Sequence, residues 1–119
     1  MDTLYDAVVR HHDTLAAWLS GQGGPELLDQ FRTAHHPDFT LITVDGAKVT
    51  LDELIGGLAT AHNAVPGLKI TIDQFEVLTQ SGTTAVCRFL EQHSIGTARR
   101  TTAVLTGSHW LAVHETPVL

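Results

Sequence analysis

The sequence has few cysteines and few basic residues, and each shortage excludes a class of protein. Its single cysteine, Cys87, cannot form a disulfide within the chain or a cysteine-based zinc site. Only 7 Lys and Arg residues stand against 13 Asp and Glu residues, which gives a net charge of -6. Phosphate binding needs a basic stripe, and only the pair Arg99 and Arg100 approaches one. We therefore expect no nucleic-acid partner.

A long apolar run, a phosphate-binding loop and the usual metal-ligand spacings are also absent. No stretch approaches the roughly 18 apolar residues of a membrane span, and Asp2 and Asp6 stand where a secretion signal needs basic residues. "SGQGG" lacks Lys-Ser or Lys-Thr, no G-x-S-x-G motif is present, and the histidines show neither H-x-x-x-H nor H-x-H spacing. These absences predict a cytoplasmic protein with no membrane partner, cofactor or metal.

What is present is hydrophobic patterning typical of one globular domain over residues 1–119, with 43% hydrophobic and 17% charged residues. Apolar residues at helical spacing predict an amphipathic first helix, and Gly24-Pro25 predicts the start of a second. Thr50 and Glu53 form a capping box that predicts a third. The expected inward stripes are Leu4, Val8, His11, Leu15, Trp18 and Leu19, then Leu27, Leu28, Phe31 and Ala34, then Leu51, Leu54, Ile55, Leu58 and His62.

The other segments alternate with the period of β-strands. "HPDFTLITVDG" predicts a short hairpin that turns at Asp45-Gly46. From Leu68 onward four antiparallel strands are predicted, and the first has a β-bulge near Asp73-Gln74, where the alternation changes parity. This order of elements predicts an α+β fold, in which three N-terminal helices pack on the concave face of a curved antiparallel sheet.

Alternation in the last three strands divides their side chains between two faces of the sheet. The set expected to face the helices is apolar in its middle: Ala85, Cys87, Phe89, Ala103, Leu105, Leu111 and Val113. The same parity places polar groups near the strand ends: Glu91, His93, Arg99, Thr101 and Glu115. Because unpaired buried carboxylates are costly, these groups indicate either a pocket that holds something polar or frayed strand ends in water.

Histidines at His11, His35 and His62, one on each predicted helix, are expected to form the opposite wall of this pocket. Taken singly, each is typical of a histidine satisfied within a core. Together with Glu91 and Glu115 they resemble an acid/base site, because imidazole titrates near neutral pH and an apolar pocket can raise a carboxyl pKa.

The opposite face of the sheet is half apolar and is expected to carry Trp110 beside Arg88 and Arg100. Aromatic and arginine side chains are enriched in protein interfaces. We therefore expect a homodimer formed through this outer face.

Three segments, "HPDFTLITVDG", "VCRFLEQH" and "RRTTAVLTGSHWLAVHET", make the chain resemble the nuclear transport factor 2-like superfamily, in particular its SnoaL-like branch of small stand-alone domains. The resemblance covers essentially the whole chain. It implies a cone with an apolar pocket between helices and sheet, and usually a dimer through the outer sheet face. Members include isomerases, polyketide cyclases, hydrolases and dehydratases, as well as proteins that only bind or oligomerise. The ketosteroid isomerase set of one Tyr with two Asp has no obvious match, since Tyr5 lies near the N-terminus and Asp73 at the predicted bulge.

Two hypotheses for function follow. In the first, a cofactor-independent enzyme uses Glu91 or Glu115 as acid or base, assisted by His11 or His35, with Arg99 stabilising an anion. Removing the pocket carboxylate is then expected to abolish turnover while stability is kept or increased. In the second, the chain is a non-catalytic ligand-binding or dimerisation module. Under both, a small molecule occupies an apolar pocket, with binding residues expected at Trp18, Phe31, His62, Phe89, His93, Arg99, Thr101 and Val113.

Overall fold

The computed structural model describes residues 3–118, which contain three helices. Thr50 and Glu53 form the predicted capping box: the Thr50 hydroxyl accepts from the Glu53 backbone N–H, and the Glu53 carboxylate accepts from the Thr50 backbone N–H. Pro25 opens the second helix as predicted. The helices are α1 (Leu4–Leu19), α2 (Pro25–Thr33) and α3 (Leu51–Ala59). None of the helices between residues 3 and 118 has the length and apolar character needed to cross a membrane.

Six strands within the same range form one sheet, in the order β2-β1-β6-β5-β4-β3. The predicted α+β class, with helices packed against a curved open sheet, is confirmed. The sheet is mixed rather than wholly antiparallel, because β1 lies parallel to β6 while every other neighbouring pair is antiparallel. The strands are β1 (His35–Ile42), β2 (Lys48–Thr50), β3 (Ile70–Ser81), β4 (Thr84–His93), β5 (Ala98–Thr106) and β6 (His109–Pro117).

The predicted bulge in β3 is confirmed. The register with β4 shifts between Asp73 and Glu76, and Gln74 has a φ of 53°, a left-handed value that is uncommon for a side chain other than glycine. After the bulge Phe75 packs against the core, with its ring edge-on to Tyr5 at a centroid distance of 5.4 Å. A bulge of this kind bends a sheet, which here gives the concave face that the helices cover.

An irregularity in β6 overturns one prediction. Leu105 pairs with Trp110 while Val104 pairs with Ala112, so Leu111 is an extra residue in β6. The insertion reverses the alternation of side chains on its N-terminal side. Trp110 therefore lies beneath the helices with 3% of its surface exposed, and its predicted place on the outer, dimer-forming face is wrong.

Two apolar clusters hold the helices to the sheet and to one another. The larger lies between α1 and the strands, where Phe89 and Cys87 are fully buried. Burial raises the pKa of the Cys87 thiol to about 11, which keeps it protonated and unreactive. The smaller cluster joins the three helices through Trp18, Phe31 and Leu58, and the Trp18 indole donates a hydrogen bond to the Leu58 carbonyl at 2.6 Å.

Candidate functional site

Polar side chains from β4, β5 and β6 meet under the helices. Thr101 pairs with Phe89 on one side and with Glu115 on the other, and Glu91 follows two residues after Phe89 on the same face. Glu91, Thr101 and Glu115 are 3%, 1% and 9% exposed. The carboxylates therefore do not lie at frayed strand ends in water. Buried carboxylates need partners, and the structure supplies them.

Three side chains contact the Glu91 carboxylate. Its Oε1 lies 2.8 Å from Nε2 of His93, and its Oε2 accepts a hydrogen bond from the Thr101 hydroxyl at 3.3 Å. The same Oε2 lies 3.4 Å from Nε2 of His12. Burial alone would raise the pKa of Glu91, but the contacts from His12 and His93 and the positive charges of His12 and Arg99 hold it well below its usual range. Glu91 is therefore a carboxylate at neutral pH.

His12 has a hydrogen-bond acceptor at each ring nitrogen. Its Nδ1 lies 2.8 Å from the Val8 carbonyl oxygen, one turn earlier in α1, and its Nε2 faces Glu91. Both neighbours, a backbone carbonyl and an ionised carboxylate, can only accept hydrogen bonds. His12 is 6% exposed, so its contact with the Glu91 carboxylate is buried.

Glu115 is in a less favourable environment for its charge. Arg99 supplies its positive partner, with Nη1 at 3.2 Å from Oε2 and 3.4 Å from Oε1. Burial raises the pKa of Glu115, and the negative charge of Glu91 raises it further, against the lowering effect of Arg99. Two neighbouring carboxyl groups thus have pKa values displaced in opposite directions, an arrangement typical of acid/base sites.

An aromatic stack lies at the other end of the site. The His11 ring lies between Phe31 and Trp110, with centroid distances of 4.6 and 4.1 Å and planes within 18° of parallel. His35 meets His11 edge-on at 4.9 Å, and its Nδ1 donates to the Phe31 carbonyl at 2.7 Å. Burial lowers the pKa of His11 well below its usual value, and His12 and His35 lower it further. Burial also lowers the pKa of His35. Both rings are therefore neutral at pH 7.

Between the two ends lies a cavity of about 80 Å³. Its polar end is formed by His12, Glu91 and Glu115, and its aromatic end by His11, His35 and the stacked rings. Apolar side chains complete the walls: Leu15, Phe39, Leu41, Leu54 and Val113. The arrangement can hold a small apolar body and present an ionisable group to one end of it.

The structure separates the sequence-predicted site residues into three groups. Those that line the cavity are Glu91, Glu115, His11, His35, Phe31 and Val113. Those that lie behind the lining, and contact the carboxylates or pack in the core, are His93, Arg99, Thr101 and Phe89. Trp18 and His62 lie apart from the cavity. The roles assigned to all of these residues stay predictions.

Two histidines are not on the elements predicted for them. His35 was expected on the second helix, but α2 ends at Thr33 and His35 begins β1 opposite Trp110. His62 was expected on the third helix, but it follows the end of α3 and is exposed, with its Nε2 3.2 Å from the Gly23 carbonyl oxygen. A glycine pair near the end of a short helix explains the early termination of α3, because glycine lowers helix stability.

Sequence reasoning missed six of the residues that line the cavity. Four are apolar side chains of the walls, Leu15, Phe39, Leu41 and Leu54, and the other two are His12 and Trp110. Val8, His12 and Ala16 recur every four residues and are all buried, so helical spacing could have identified His12. The neighbouring His11 lies at helical spacing from Leu4 and Leu15, and for that reason His11, and not His12, was predicted to line the pocket. Trp110 was predicted on the wrong face because the extra residue in β6, Leu111, leaves no signal in the alternation of side chains.

Within residues 3–118 no group of three or more His, Cys, Asp or Glu side chains is arranged to hold a metal ion. Every buried side-chain nitrogen and oxygen in that range has a hydrogen-bond partner. The fully buried polar atoms of the site thus have partners within the protein.

Comparisons with solved structures identify the fold. An NTF-2 like protein of unknown function from Pseudomonas aeruginosa is 26% identical, with a TM-score of 0.82 over 94% of this chain and 95% of that protein. The chain has the nuclear transport factor 2-like fold. A second protein with this fold, from Cytophaga hutchinsonii, is 14% identical, with a TM-score of 0.71 over 98% of this chain and 100% of that one.

A CamKII hub homology domain from Chlamydomonas reinhardtii also matches, at 17% identity and a TM-score of 0.71 over the full length of both chains. At the low identities of the last two proteins the likeness concerns the fold alone. No protein-family model and no curated protein matches the sequence. Since a fold does not by itself determine function, function has to be argued from the cavity.

Proposed function

We propose that the protein binds a small, largely apolar molecule in the cavity between helices and sheet, as a SnoaL-like member of the nuclear transport factor 2-like superfamily. The supporting observation is the cavity of about 80 Å³ with apolar walls and two buried carboxylates at one end. Ligand sites are typically apolar with a few convergent polar groups. Because an apolar cavity of roughly 150 Å³ holds benzene, the ligand here is no larger than a small ring.

Cyclopentanone is a suitable probe, because it has a compact apolar ring and one polar oxygen. Val113→Phe fills the cavity and is expected to abolish cyclopentanone binding, measured by NMR titration. Val77→Phe is the matched control, since Val77 is 47% exposed on β3 and lies away from the cavity. Equal binding by wild type and Val113→Phe would overturn the proposed site.

A second candidate function is proton transfer to and from the bound molecule, with Glu115 as the acid/base group. It is supported by the divergent pKa values of Glu91 and Glu115. A carboxylate with a strongly lowered pKa is a poor base, whereas a raised pKa brings Glu115 closer to working pH. Glu91 then serves to hold His12 at the cavity wall.

Exchange of the α-hydrogens of cyclopentanone in D2O tests this second function. In that reaction the α C–H bond breaks, the proton moves to the Glu115 carboxylate, and the enolate takes a deuteron from solvent. We expect the wild type to accelerate exchange over buffer and Glu115→Gln to lose the acceleration. Glu76→Gln is the matched control, since Glu76 lies on the exposed face of β3 in a pair with Arg88. Binding without accelerated exchange would leave the ligand-binding module as the function.

The homodimer through the outer sheet face remains part of the proposal, with Trp110 removed from it. Arg88 and Arg100 do lie on the outer side, where they contact Glu76 and Gln74. Light scattering that gives the mass of one chain at micromolar concentration would overturn the dimer. A cytoplasmic location also stays a prediction.

A further inference from the structure

A surface groove of about 350 Å³ lies beside the cavity, between α1, α2 and the turn before β6. Its polar lining includes Thr14, Gln30 and Ser108. Gln30 and Ser108 are exposed, whereas the cavity is lined mainly by buried side chains. The groove and the cavity are thus two compartments of different character.

Three residues, His11, Phe31 and Trp110, line both compartments. Their rings form one continuous stack, with His11 in the middle at 4.6 Å from Phe31 and 4.1 Å from Trp110. A stack that borders two spaces is the wall between them. The outer two rings are 5% and 3% exposed and also belong to the apolar clusters, so they have packing roles that His11 does not share.

His11 is held in the middle of this wall from several directions. It lies near the middle of α1, a 16-residue helix that Val8 and Ala16 anchor on the sheet. His35 supports it edge-on at 4.9 Å, and His35 is fixed through its hydrogen bond to the Phe31 carbonyl. The low proton affinity of the His11 ring agrees with a role as an aromatic plate rather than as a base.

We propose that the His11 ring sets the upper size limit for the ligand, by closing the cavity off from the surface groove. This inference rests on the proposed ligand-binding function and names the size class of the ligand. With the His11 side chain in place, the cavity accepts a ligand of one small ring. Without it, the cavity and the groove become continuous and accept a molecule of two fused rings.

Two ketones that share one ring test the size limit. Cyclopentanone fits the cavity alone, while 1-indanone adds a fused six-membered ring that needs the space of the groove. Wild type is expected to bind cyclopentanone and to reject 1-indanone. His11→Ala is expected to bind 1-indanone at least about tenfold more tightly than wild type, because the steric conflict is removed. Its affinity for cyclopentanone should change much less.

Control variants distinguish the steric effect of the His11 ring from the effect of its titratable nitrogens. His11→Phe restores an aromatic plate without a titratable group and should reject 1-indanone as the wild type does. His114→Ala removes an exposed histidine on the outer face and should leave both affinities unchanged. If His11→Ala does not give a folded NMR spectrum, His11→Val shortens the side chain while keeping apolar contact, and it should bind 1-indanone in the same way.

The outcomes distinguish this inference from the proposed function. If wild type binds cyclopentanone, and His11→Ala and His11→Val bind 1-indanone as weakly as wild type does, only the size limit is overturned. Rejection of cyclopentanone by the wild type overturns the proposed function and the size limit together. Tight 1-indanone binding to His11→Phe shows that the ring is not the barrier and also overturns the inference.

Discussion

His11 and His12 are consecutive in α1 and line the same cavity, with ring centroids 5.6 Å apart, but their surroundings give them different properties. His12 has an acceptor at each ring nitrogen, the Val8 carbonyl and the Glu91 carboxylate. His11 lies between Phe31 and Trp110, where burial lowers its pKa and keeps it neutral. The polar end is thus built on charge pairing and the aromatic end on ring packing, with the same residue type at both.

The largest effect is expected from Glu91→Gln at the polar end. The amide removes the negative charge that faces His12 and alters the contacts with His93 and Thr101. Breaking one side of a buried ion pair costs about 3 kcal/mol. Urea unfolding at pH 7 measures the loss. This prediction for Glu91 differs from the expectation from the sequence, in which stability is kept or increased when a pocket carboxylate is removed.

Glu76→Gln is the control for that experiment. Glu76 pairs with Arg88 on the exposed face of the sheet, and such surface pairs contribute at most about 1 kcal/mol. Equal stability of Glu91→Gln and Glu76→Gln would mean that the buried cluster does not hold the polar end together.

A smaller loss is expected from His11→Ala at the aromatic end. The change removes two stacked contacts, and aromatic pairs contribute about 0.5–1.5 kcal/mol each beyond their buried area. We expect the free energy of unfolding to fall by about 2 kcal/mol, and His11→Phe to recover most of it. Failure of phenylalanine to recover stability would indicate that the imidazole nitrogens, rather than the ring faces, matter at this position.

The two ends should also respond to pH in different ranges. The pKa values of His11 and His35 are lowered from 6.5, so the unfolded chain binds protons first and stability falls as the pH drops below about 6.5. The pKa of Glu91 is lowered from 4.5, so its contribution is lost only below about pH 4.5.

Unfolding in urea at pH 7.5, 6.5 and 5.5 separates these ranges. One proton bound only by the unfolded chain corresponds to about 1.4 kcal/mol per pH unit. His11→Phe should therefore flatten the decline between pH 6.5 and 5.5 by roughly 1 kcal/mol. Identical pH profiles for wild type and His11→Phe would contradict a buried, neutral His11.

The smallest effect is expected from Glu115→Gln. Since the raised pKa of Glu115 reflects a cost of ionisation that grows above pH 4.5, a neutral amide removes that cost while it loses the contact with Arg99. Arg99 is partly exposed and can be hydrated, so the stability at pH 7 should change by less than about 1 kcal/mol. A loss as large as that of Glu91→Gln would remove the proposed difference between the two carboxylates.

Much of the fold was predictable because its signals are local. The capping box at Thr50 and Glu53, the proline start of α2 and the bulge near Gln74 all depend on residues a few positions apart, and the structure confirms each. The parallel pairing of β1 with β6 was not predictable, because it depends on contacts between distant segments. The extra residue at Leu111 left the apolar pattern of β6 unbroken, which is why Trp110 was assigned to the wrong face.

By itself the sequence determined the α+β class, the parity that directs Glu91 and Glu115 under the helices, and the resemblance to the nuclear transport factor 2-like superfamily. Only the tertiary structure decided that His12, rather than His11, pairs with Glu91, and that the two carboxylates differ in their affinity for protons. The reason is physical: side-chain direction follows from backbone period, whereas charge state depends on the partners and burial that packing brings together.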